Sequence, residues 1–214
     1  MNQKRLSQVA SIGAGGQTQP VRFRVALRDL ARCAAVTAVM LARRQIRLPR
    51  DRVGTRLEFA DGTSSWVYRE TLADRPIQDP CVLVVEFRLR GVRGRLPHWI
   101  FRRESILNTP LFVGFCGFIS KLWLAHDQHQ VYRGLYEWDG PDRADRYVRA
   151  LWWVLALVSA PGSIHHKVLP GLLRDQVLAD PSVLDRAAAA PRPVASAAGP
   201  SGARSDWWRP VEVR

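Results

Sequence analysis

Apolar and polar positions alternate most clearly over residues 118–138, FISKLWLAHDQHQVYRGLYEW. Two runs rich in aromatic, β-branched and leucine side chains flank the polar Asp127-Gln128-His129-Gln130. That pattern predicts a β-hairpin. On its second strand Tyr132, Gly134, Tyr136 and Trp138 share one face, while Val131, Arg133, Leu135 and Glu137 share the other. Residues 81–90 read as another strand, with Leu83, Val85, Phe87 and Leu89 on one side and Val82, Val84, Glu86 and Arg88 opposite. A smaller hairpin is expected over residues 55–72, turning at Asp61-Gly62.

The helical period appears three times. From Val21, residues Leu27, Leu30, Ala31, Ala34, Ala38 and Leu41 fall on one side, and Arg24, Arg28 and Arg32 stack on another. The expected arrangement is an amphipathic helix docked on the main domain; the alternatives are a basic helix on an anionic membrane surface and a partner-binding helix. A second helix starts at Pro97 and breaks at Asn108-Thr109-Pro110. The third starts at Asp139-Gly140-Pro141-Asp142, and a last strand covers residues 163–169.

Residues 81–171 thus read strand, helix, strand, strand, helix, strand. The fold class expected is α+β, a ferredoxin-like βαββαβ antiparallel sheet with both helices on one face. A second copy is expected to cover the other face, giving a homodimer. Around this domain the chain divides into a disordered segment 1–20, a helix-plus-hairpin extension 21–80, and residues 172–214, a short helix followed by a disordered Ala/Pro-rich tail. Trp207-Trp208 is either a small anchor onto the domain or part of an exposed tail.

Charge changes the picture less than its size implies. The net charge of the 214 residues is +13. All the basic side chains but Lys4, Lys121 and Lys167 are arginine, as GC-rich coding alone produces. No zinc-finger spacing, RNP-type strand or helix-turn-helix accompanies them, so no specific nucleic-acid binding is expected. Cys33, Cys81 and Cys116 are widely spaced, which argues against a disulfide framework and against structural zinc. No secretion signal opens the chain and no apolar run approaches a membrane span, so the expected setting is cytoplasmic.

Several residues in this order carry a resemblance: Gly117-Phe118, Lys121-Leu122-Trp123, Gly134-Leu135-Tyr136, Ala144 with Tyr147, and Lys167-Val168. Over roughly residues 81–171 the chain resembles the YdhR-like proteins, monooxygenase-type members of the dimeric α/β-barrel superfamily. The resemblance implies a dimer with a small apolar pocket between sheet and helices. It also implies oxidation of an electron-rich aromatic or polyketide-like molecule by O2, with no metal, flavin or other cofactor. Such a substrate, once deprotonated, passes an electron to O2 itself, and the protein excludes water, holds the ring and helps remove the proton.

For the ring, Trp123, Tyr132, Tyr136, Trp138, Trp152 and Trp153 are the candidates, each competing with a plain core role. For the polar part the candidates are His165, Arg133 and Asn108. His165 and His166 enter the last strand on opposite faces, so one should point inward. Asn108 is more simply a turn residue before Thr109-Pro110, and Arg133 is placed to bridge to Glu137 or to Lys121 across the hairpin. His126 and His129 flank the turn and are expected in solvent. Two rivals to the oxygenase remain. One is a non-catalytic dimeric ligand-binding or interaction module; the other is a peripheral membrane protein using residues 21–47.

Overall fold

The alternating runs pair into an antiparallel sheet that curls on itself. The computed structural model describes residues 20–92, 94–185 and 206–214. In chain order, α1 spans Phe23–Ala42, β1 Ile46–Arg47, β2 Arg56–Phe59, β3 Ser64–Ala73 and β4 Pro80–Arg88. Helix α2 (Arg95–Glu104) leads into a 3-10 turn (Ser105–Leu111), then β5 (Phe118–Leu124) and β6 (Val131–Asp139). The chain continues with α3 (Pro141–Val158), β7 (His165–Pro170), α4 (Arg174–Ala179) and β8 (Pro210–Val213). The strand order is β7-β4-β6-β5-β3-β2-β8, with β1 on one end of β3, and every pairing is antiparallel. The protein is therefore α+β. The disorder expected for residues 1–19 and 187–203 lies outside the described residues.

Both hairpins form where the alternation placed them. Gly62 turns the first with φ +78°, and the Asp61 carboxylate accepts the Thr63 N–H at 3.0 Å. Asp127 closes the second by accepting the backbone N–H groups of His129 (2.8 Å) and Val131 (3.0 Å). Helix α2 begins two residues before Pro97, and the 3-10 turn carries the chain through Pro110 rather than breaking it. At α3, Pro141 occupies the first turn as expected, but Asp139 does not cap it. Its carboxylate instead accepts the N–H groups of Gln78 and Asp79, at 2.8 and 2.7 Å, and these bonds hold its pKa below the usual carboxylate value.

The two faces of the sheet bury separate cores. Leu83, Val85, Trp123, Tyr136 and Trp138 pack against α3, the 3-10 turn and α1. Val82, Val84, Leu122 and Leu135 face the other way. That second face was expected to need another copy of the chain. It is covered from within, by Val177 and Leu178 of α4, by Leu184, and by Trp207 and Trp208. The tail is corrected accordingly: residues 206–214 are not a loose end but carry β8 onto β2, with Leu57 opposite Val213. A homodimer through this sheet face loses its premise, because the apolar surface that required it is already buried.

Helix α1 docks on the main domain, but not by the side expected: Leu27 and Leu41 are more than half exposed, and Ala31 and Ala38 also face outward. Ala26, Cys33, Thr37 and Met40 are buried, and Asp29 pairs with Arg146 of α3 at 3.1 Å. The close approach depends on Gly114, where an added Cβ would lie 2.0 Å from the carbonyl oxygen of Cys33. The helix backbone cannot yield as a side chain would. Gly114→Ala should cost about 1–3 kcal/mol of stability and loosen α1, read as a lower urea midpoint and faster amide exchange in residues 23–42.

Candidate functional site

Between the sheet and α2, the 3-10 turn and α3 lies a cavity of about 320 Å³. Its walls combine aliphatic side chains with many rings, among them Tyr68, Phe101, Phe112, Trp123, Tyr132 and Tyr136. The sheet supplies the floor because alternation sends Val85, Trp123, Gly134 and Tyr136 to the same side. The rim is marked by Leu107 and Val158, which line the cavity and are exposed. Small-molecule sites start at about 300 Å³, so this one suits a compact ring compound.

Gly134 keeps part of that volume open. A Cβ there would meet the Tyr136 ring at 2.6 Å, and Tyr136 is buried with its ring between Lys121 and Tyr147. Gly134→Val should therefore push Tyr136 into the cavity. We expect at least tenfold weaker binding of 2-naphthol by tryptophan quenching, which corresponds to about 1.4 kcal/mol. Unchanged affinity would place the ring site elsewhere.

One polar group stands apart from this lining. Lys121 is only 8% exposed, and its Nζ lies 3.2 Å from the centroid of the Trp123 ring and 4.7 Å from those of Phe112 and Tyr136. Among the described residues no carboxylate pairs with it and no hydrogen bond satisfies it. Burial, with a smaller contribution from the nearby Arg69 guanidinium, pushes the amine well below the usual lysine value of 10.5. The ring faces oppose that shift by about 0.5–2 kcal/mol, whereas removing an ammonium from water costs several, so burial wins.

Lys121 reaches this place through an irregularity. The pairing of β5 with β6 shifts register between Phe118 and Ser120, so that Lys121 lies opposite Tyr136 and Trp123 opposite Gly134. The expected bridge from Arg133 to Lys121 is thereby excluded: the two side chains leave the sheet on opposite faces. One sequence signal could have shown this. Phe118 and Trp123 are an odd number of residues apart, so both can face the helices only if an extra residue intervenes.

The other polar walls are anchored. The Tyr68 hydroxyl lies 3.2 Å from Ser105 Oγ and Arg69 donates to the same oxygen at 2.9 Å; burial raises the tyrosine to about 12. Tyr136 and Tyr147 share a hydroxyl contact of 3.4 Å, and burial holds both hydroxyls protonated well into the alkaline range. Tyr132 bonds to Nδ1 of His98 at 2.8 Å, and His98 lies against His126, ring centroids 3.9 Å apart. His126 is thus not simply solvated as expected. His98 has a lowered pKa, first from burial and then from the neighbouring His126.

Of the residues proposed from sequence, Trp123, Tyr132, Tyr136 and Asn108 line the cavity. Trp138 does not: it packs between Phe118 and Tyr147 in the core behind. Trp152 is outside the lining, and Trp153 bonds to the Val21 carbonyl at 2.8 Å on the outer side. His165 is corrected as well. It bonds Glu86 at 3.0 Å on the far face of the sheet, near Trp207, while His166 turns toward Asp145 on α3. Arg133 contributes to the cavity wall, but its guanidinium points away, to Asp127 and Asp61 at 2.8 Å and to Glu86 at 3.4 Å. Lys121, Tyr68, Phe101 and Phe112 are further wall residues that the alternation pattern does not single out, and the last three come from outside the hairpin.

Among the described residues no helix is long and apolar enough to cross a membrane. No family model, curated protein or solved structure matches the chain.

Proposed function

We propose that the protein takes a small electron-rich aromatic into the cavity and oxidises it with O2, without metal or flavin, as in the YdhR-like monooxygenases that residues 81–171 resemble. What carries this reading is one observation: a cavity rich in aromatic rings that holds, among the described residues, the buried amine of Lys121 with no carboxylate or hydrogen-bond partner. The strand order β7-β4-β6-β5 supports it, since a βαββαβ unit of ferredoxin-like type places its fourth strand beside the first and its third between first and second. The cytoplasm is the setting proposed, consistent with three unpaired cysteines.

The chemistry follows from the surroundings of the amine. An amine buried without a counter-ion is shifted toward its neutral form, in which it can accept a proton. A ring methylene flanked by an aryl ketone gives up its proton to Lys121, and the resulting anion transfers an electron to O2. Recombination forms the hydroperoxide, which loses water to leave a carbonyl. In sum, CH2 and O2 become C=O and H2O, and the lysine returns its proton. The apolar walls raise the electron-donating power of the anion by withholding water from it.

Anthrone is a suitable probe, with O2 uptake and anthraquinone absorbance followed together. Uptake above the spontaneous rate, one O2 per anthraquinone, is the expected result. Tight binding of 2-naphthol with no uptake would leave a non-catalytic ligand-binding module. Neither binding nor uptake would reject the cavity as the site.

A further inference from the structure

We propose that Lys121 also captures aromatic aldehydes and ketones as a covalent imine, so that the cavity serves carbonyl chemistry beyond oxidation. The inference rests on the reading that a ring enters the cavity, and on three features of the amine itself. Lys121 is more than nine-tenths buried and its Nζ faces into the ring-walled space. It touches only ring faces, at 3.2 to 4.7 Å, so no carboxylate holds it as an ammonium. Its strand is paired on both sides, by β3 and β6, which holds the stem in place.

A ring seated against Trp123 and Phe112 would present a carbonyl substituent to an amine already positioned and largely withdrawn from solvent. The Nζ lone pair attacks the carbonyl carbon and one amine proton moves to the oxygen, giving a carbinolamine. Loss of the second amine proton with the hydroxyl releases water and leaves the C=N bond. The two protons and the carbonyl oxygen account for that water, and no oxidant or reductant is consumed. Departure of water from an apolar cavity favours the imine, whereas exposed lysines in water favour hydrolysis. The charged and titratable groups around the amine are Arg69 and Tyr68 from β3, Tyr136 from β6, Tyr147 from α3 and Glu104 from α2. The tyrosines remain protonated at neutral pH and are suited to relaying the protons.

The chain makes the test simple, because its only lysines are Lys4, Lys121 and Lys167. The full-length protein is incubated with 2-naphthaldehyde and cyanoborohydride near pH 7, then analysed by intact mass and peptide mapping. Reduction of the imine adds the mass of the aldehyde less one oxygen. The expected result is a single adduct on Lys121, formed at least tenfold faster than on Lys167, absent in Lys121→Arg and suppressed by excess 2-naphthol. Protection by 2-naphthol is read on the native chain and does not depend on how the variant folds. Binding of 2-naphthol without a Lys121 adduct would overturn the imine and leave the ring site intact. Modification confined to Lys4, Lys167 or the amino terminus, with no naphthol binding, would overturn both.

Discussion

Replacing Arg133 by methionine lowers the stability of the fold by about 3–5 kcal/mol, the largest loss expected of any single substitution here. The guanidinium is 1% exposed and holds three carboxylates: Asp127 and Asp61 at 2.8 Å, and Glu86 at 3.4 Å. Asp127 has no access to solvent, while Asp61 and Glu86 retain 12 and 11%. Methionine keeps the apolar stem near Phe59, over whose ring the guanidinium carbon sits at 4.4 Å. What it removes is the counter-charge, leaving a buried carboxylate without compensation. Asp127 also closes the β5–β6 turn through its bonds to His129 and Val131, and Asp61 closes the β2–β3 turn through Thr63. One arginine thus ties together two hairpins far apart in the chain. Urea unfolding measures the loss. Adding Asp127→Asn to Arg133→Met should restore part of it, since the stranded charge is then removed. A loss below 1 kcal/mol would mean that water reaches the cluster and screens it.

Lys121→Met moves stability and activity in opposite directions. Stability rises by about 1–3 kcal/mol at neutral pH, because an unsatisfied polar group in an apolar cavity is replaced by a side chain of similar length. Anthrone-dependent O2 uptake falls by about 10²–10⁴-fold, the usual contribution of a positioned proton acceptor. The pH dependence gives an independent check on the amine. Its folded-state pKa lies well below the 10.5 of an exposed lysine, so between the two values the unfolded chain binds the extra proton. The difference in stability between variant and native protein is therefore largest at low pH, where the folded amine must stay charged. It narrows as pH rises from the folded value toward 10.5, where both states become neutral. The buried tyrosines destabilise both proteins alike above pH 10, and the comparison cancels them. A difference flat across this range would mean that the amine reaches water. Such a trade between stability and chemistry is what a working residue in an apolar site produces.

Much of this architecture is written locally. The alternation at Val131–Asp139 and Pro80–Arg88 allows only a two-faced sheet, since a period of two cannot serve a helix. Asp-Gly at positions 61–62 and Pro141 at the head of α3 are short-range signals whose steric causes act within a few residues. Three of the aromatic wall residues were legible for the same reason: Trp123, Tyr132 and Tyr136 follow from strand parity and from which face is apolar.

The remainder depends on contacts that no local pattern encodes. Strand β8 is four residues long and pairs with β2 about 150 positions earlier, so its composition alone could not separate it from a tail. Because that strand, α4 and the two tryptophans close the second face, the need for a partner there disappears. His165 and His166 were equivalent in sequence. The register of β7 on β4 decided that His165 lies opposite Glu86 and His166 turns to α3, and neither reaches the cavity. Parity also failed at the register shift beside Phe118, where one extra residue reverses the faces of all that precede it. That single irregularity lets Phe118 share a face with Lys121 and Trp123, and so sets the amine among aromatic rings.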